Sequence, residues 1–65
     1  MSKADEFSKL FDLVVDHLRD PGDEFKLELM QSQKHTCLVT YGQEAMRICK
    51  DAMRYFEKQK ELASV

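Results

Sequence analysis

The sequence predicts an α+β fold in the order α-β-β-α, two amphipathic helices around a β-hairpin, and three observations predict it. Apolar residues recur at helical spacing toward both ends of the chain, the middle alternates apolar and polar residues at a period of two, and Asp20-Pro21-Gly22 punctuates the first junction. The expected elements are a helix over 2–20, a hairpin over 24–41 and a helix over 42–62, all within one small domain spanning 1–65. A chain of 65 residues buries only about 60% of the surface its unfolded form exposes, so such a domain needs a staple or a partner.

In the first helix, Phe7, Leu10, Phe11, Val14, Val15 and Leu18 fall within one broad apolar arc at about 100° per residue. Asp5, Lys9, Asp12, Asp16 and Arg19 occupy the other side. Ser2 is placed to cap the start, with Asp5 three residues on. Asp20 is pushed out of the α region by Pro21, and Gly22 supplies a turn.

The stretch EFKLELMQSQKHTCLVTY, residues 24 to 41, gives a poor helical stripe, because Gln33 and Thr36 follow Phe25 and Leu29 on the same face. As strands it patterns better. Phe25, Leu27 and Leu29 alternate with Lys26 and Glu28, and HTCLVTY is rich in β-branched and aromatic residues. A loop of Ser32 to Lys34 would pair Leu29 with Cys37, Leu27 with Val39 and Phe25 with Tyr41, all on one face. Met30 and Leu38 would then be the apolar groups of the outer face, a small candidate partner contact. The alternative is an all-α helical hairpin, in which 24–41 is helical too.

In the second helix, Ala45, Met46, Ile48, Cys49, Ala52, Met53, Tyr55 and Phe56 cover roughly half the circumference. Thr40 with Gln43 is the expected capping box, with Gly42 in the first turn. Arg47, Lys50, Arg54 and Lys58 form a basic stripe, interleaved with acids that offer pairs such as Arg47 with Asp51. One hairpin is too narrow to shelter two such helices. Two copies joined edge to edge would make a four-stranded sheet carrying four helices, so a homodimer is expected. Helix pairing through the wide Met/Tyr/Phe face is the other route.

Composition and motif argue against several functions. The net charge of −2 lacks the basic excess of a non-specific nucleic-acid binder. No apolar run approaches the roughly 18 residues of a membrane span, and MSKADEFSKL has no apolar signal core. His17, His35, Cys37 and Cys49 are zinc-type ligands, but no C-x₂₋₄-C or H-x₃₋₅-H spacing links them. The two cysteines lie on predicted core faces, where a thiol is a small hydrophobe and not a nucleophile. Asp5, Asp12 and Asp16 sit on an outer helix face, and Gly22 and Gly42 make no phosphate loop. No metal, cofactor or catalytic set is expected.

What remains is a small cytoplasmic, non-enzymatic protein–protein interaction module, a homodimer that binds and modulates a larger protein. Its candidate interface residues are Met30, Leu38, Met46, Met53 and Tyr55. The alternative is a nucleic-acid-binding regulator using Arg47, Lys50, Arg54 and Lys58; the α-β-β-α order resembles small RNA-binding folds in architecture alone, with no matching motif. If assembly and folding are linked, the melting temperature rises with protein concentration. A transition that stays put across a hundredfold dilution would contradict the linkage.

Overall fold

The computed structural model describes residues 2–63. They form three helices, α1 (Lys3–Arg19), α2 (Glu24–Tyr41) and α3 (Glu44–Ala63), and no strand occurs among them. The predicted α+β class and the hairpin over 24–41 are therefore corrected to an all-α bundle. The two-helix hairpin does not form either, because Gly42 and Gln43 divide the second half of the chain.

α1 begins where the sequence places it. The Ser2 hydroxyl accepts the Asp5 N–H at 3.2 Å, and Asp5 and Glu6 in the first turn and Arg19 in the last suit the helix dipole. Leu10, Val14 and Val15 are buried, with Phe7, Phe11 and Leu18 packed against them. That arc is wide enough for α1 to lie against both other helices, which share a smaller interface with each other. At its end the Asp20 N–H reaches the carbonyls of Asp16 and His17, both at 3.2 Å.

Asp23 starts α2: its carboxylate accepts the N–H groups of Phe25 and Lys26 at 2.9 and 3.2 Å, a cap that contributes about 1 kcal/mol. The alternation read as strand has a helical origin. Residues two apart on a helix lie about 200° apart, so a helix apolar on two opposite sides imitates a period of two. Leu27, Met30, Cys37, Leu38 and Tyr41 turn inward, while Phe25, Leu29 and Val39 face solvent. Met30 and Leu38, expected on an outer sheet face, instead pack half-buried against the core.

The inner side of α2 also carries Gln33, which is 8% exposed. Its Nε2 donates to the Glu6 carbonyl at 3.1 Å and to Glu6 Oε2 at 2.7 Å. A buried amide without partners would cost about 1–3 kcal/mol, so this pairing fixes α2 against the N-terminal half of α1. The Phe7 and Tyr41 rings meet edge-on at 5.1 Å, and Lys3 Nζ stands 5.6 and 5.7 Å from their centroids. Lys3 also bridges to Glu44 at 2.6 Å. Both groups are exposed, so that pair contributes little.

Gly42 ends α2 at φ 70° and ψ −140°, a conformation open almost only to glycine. Its N–H donates to the Leu38 carbonyl at 2.9 Å, and its own carbonyl accepts the Ala45 N–H at 3.1 Å. The expected capping box is displaced: Thr40 lies inside α2, and Gly42 is the break and not a tolerated first-turn residue. α3 then turns Ala45, Cys49 and Ala52 into the core, small groups that let it approach α1 closely. Phe11 and Tyr55 meet at 5.5 Å across that approach.

Gly42→Ala should lose about 1–3 kcal/mol in denaturant titration, the cost of forcing a side chain into that backbone conformation. Gly22 lacks a positive φ, and a Cβ there meets nothing within 4 Å. Gly22→Ala should therefore be neutral or slightly stabilising. Equal effects at the two positions would contradict the assignment of the chain break to Gly42.

Candidate interaction surfaces

Two open troughs lie on the described surface. One, of about 350 Å³, runs between α1 and α3 and is lined by Phe11, Asp12, Val15, Asp16, Arg19 and Tyr55. The other, of about 720 Å³, lies along Gln43, Glu44, Met46, Arg47, Lys50, Asp51 and Arg54. Residues from a single helix and its leading turn line it, so nothing covers its far side.

α3 distributes its predicted site residues over separate faces. Ala45, Cys49 and Ala52 mark the buried side. Met46 and Met53, 37% and 49% exposed, flank it on one side, and Tyr55, 42% exposed, flanks it on the α1 side beside Phe11. The single wide apolar face expected of this helix is thus divided by the core contact. Arg47, Lys50, Arg54 and Lys58 are exposed and at 100° per residue fall within about 80° of arc opposite the core. Of the described acids of α3 only Glu61 shares that arc; Asp51 and Glu57 border it. Among the described residues none of the four cations forms an ion pair, so the Arg47–Asp51 pair expected from spacing is absent.

α2 carries the surface that the sequence reading missed. Phe25 is 68% and Val39 74% exposed, with Leu29 between them. A strand register hid these residues by assigning them to the core face. The signal that finds them is the spacing 25-29-32-36-39, an uncharged run at helical intervals of four and three.

The zinc-type ligands do not converge. Among the described residues no three His, Cys, Asp or Glu side chains come together to hold a metal. Cys37 and Cys49 are free and buried. Burial pushes the Cys37 thiol up from its ordinary range, the Glu6 charge adds to this, and the Gln33 hydrogen bond opposes it. Burial likewise raises Cys49, partly offset by Lys34. His17 Nδ1 is a buried atom with no hydrogen-bond partner among the described residues. No helix of the described chain is long and apolar enough to cross a membrane.

Comparison with protein-family models, with curated proteins and with solved structures gives no match.

Thiolates are disfavoured at both cysteines, and access requires the bundle to open. Native protein should therefore react with a disulfide reagent at neutral pH at least about a hundredfold more slowly than denatured protein, Cys37 slower than Cys49. Rapid native labelling of Cys37 would contradict the packing described for α1 and α2.

Proposed function

We propose that this chain is a small, non-enzymatic interaction module that self-associates and binds a larger protein whose activity it modulates. One observation carries the reading: the fully buried apolar residues that α2 and α3 contribute to the core are all small, while large apolar ones stand outside. Ala45, Ala52, Cys37 and Cys49 fill much of the interior, whereas Phe25, Val39, Met53 and Tyr55 are 68%, 74%, 49% and 42% exposed. Fully burying a large apolar side chain contributes about 1.5–3 kcal/mol. Covering several at once offsets much of the roughly 4–15 kcal/mol that association costs in lost freedom. Self-association then proceeds through helix faces, since no strand occurs among the described residues.

Two buried thiols of raised pKa make poor nucleophiles, which supports the non-enzymatic part. Free cysteines suit a cytoplasmic setting. A second reading rests on the α3 cations: a nucleic-acid-binding regulator would set Arg47, Lys50, Arg54 and Lys58 along a phosphate backbone. Its mark is a steep loss of affinity with salt, abolished by Arg47→Glu with Arg54→Glu while the assembly persists.

Native mass spectrometry of protein gently purified from its own cells tests both. An even-numbered homo-oligomer, alone or with a second protein, supports the interaction module. Co-purified nucleic acid would move the assignment to the cationic face, and a bare monomer at every concentration would contradict self-association.

A further inference from the structure

We infer that the outer stripe of α2 is where a second copy of this chain docks, α2 against α2 and antiparallel, with the two-fold axis crossing near Ser32. The inference rests on the self-association reading above and gives it a face. Phe25, Leu29, Ser32, Thr36 and Val39 succeed one another at intervals of four, three, four and three, the spacing of a helix-to-helix seam. All five are exposed and none is charged. α1 and α3 pack on the other side of α2, so the seam is open along its length.

The seam is complementary to itself. About an axis near Ser32, Phe25 of one copy lies over the Thr36–Val39 end of the other, a ring against β-branched side chains. Ser32, the smallest of the five, sits where the backbones come closest. Glu28 and His35 are both exposed, seven residues apart on the same flank of the seam. Antiparallel pairing brings each Glu28 alongside the partner's His35, whose ring N–H donates to the carboxylate in either protonation state. Parallel pairing would set Glu28 beside the partner's Gln33, a side chain already turned inward to Glu6, and would leave no such pair. The charge pattern therefore selects both the occupant and its direction.

Size sets the strength. From Phe25 to Val39 the helix rises about 21 Å on a cylinder about 10–12 Å across, a footprint on the order of 250 Å². A standard stable interface takes roughly 800 Å² from each partner. The association is accordingly reversible and responds to concentration.

Sedimentation equilibrium over a wide concentration range tests this, with circular dichroism confirming helicity in each variant. Wild type should dimerise, and Phe25→Glu and Val39→Glu should each weaken the dimer at least about tenfold. Glu28→Lys and His35→Glu should each weaken it about three- to tenfold, and together they should restore it; this pair needs no change in the seam and keeps the test sound if an apolar variant misfolds. A wild-type dimer indifferent to all four changes would overturn this face and leave self-association standing. A dimer broken by the seam variants but not restored by the double exchange would overturn the antiparallel arrangement. A wild type monomeric throughout would overturn self-association and this inference together, and would leave the seam to a helix from another protein.

Discussion

The fold depends on one backbone conformation, that of Gly42. Without a residue that tolerates φ 70° with ψ −140°, the helical segments 24–41 and 44–63 could run on as a single rod. α1 would then have one neighbour in place of two. The reversal at Gly42 is held from both sides, by its N–H on the Leu38 carbonyl and by its carbonyl under the Ala45 N–H. It places Ala45 directly in the core at the head of α3. It also sets Tyr41 and Glu44 beside the start of α1, where Phe7 and Lys3 meet them.

Given that reversal, α1 becomes the central packing element, and its wide apolar arc is divided between two neighbours. Toward α2 the contact is partly polar, with Gln33 bonded to Glu6 beside buried Cys37. Toward α3 it is close and built from alanines and a cysteine, edged by the Phe11–Tyr55 ring pair. Small groups permit close approach but bury little area, so the interior of a bundle this size contributes modestly to stability. Large apolar side chains remain outside as a result, on the outer side of α2 and the flanks of α3. A thin core and an exposed apolar surface are two consequences of one distribution of side chains.

Much of this was legible in the residues. α1 was read almost to its ends, because capping, periodicity and a proline stop all agree there. The body of α3 was legible for the same reason of period, and its cations fall on the outer side as the spacing implies. α2 was not, and the cause is specific: Phe25, Leu27 and Leu29 alternate because they belong to opposite sides of a helix. A two-sided helix and a one-sided strand give the same local pattern. The signals that separate them were present in Asp23, placed to cap a helix, and in the lack of glycine or asparagine at the proposed hairpin turn. Of the exposed apolar residues, Met46, Met53 and Tyr55 could be found from α3 periodicity. Phe25 and Val39 could not, since the strand register buried them, and Met30 and Leu38 were displaced to the surface by the same error.

Residues 24–41 form a helix with two apolar sides, ended by Gly42. Backbone chemical shifts of isotope-labelled protein, recorded at the lowest workable concentration, test it residue by residue. Cα shifts should be displaced in the helical direction without interruption from Glu24 to Tyr41, break at Gly42 and Gln43, and return to helical values from Glu44. Strand-type shifts across Phe25–Leu29 and Cys37–Tyr41, with a turn between them, would contradict it.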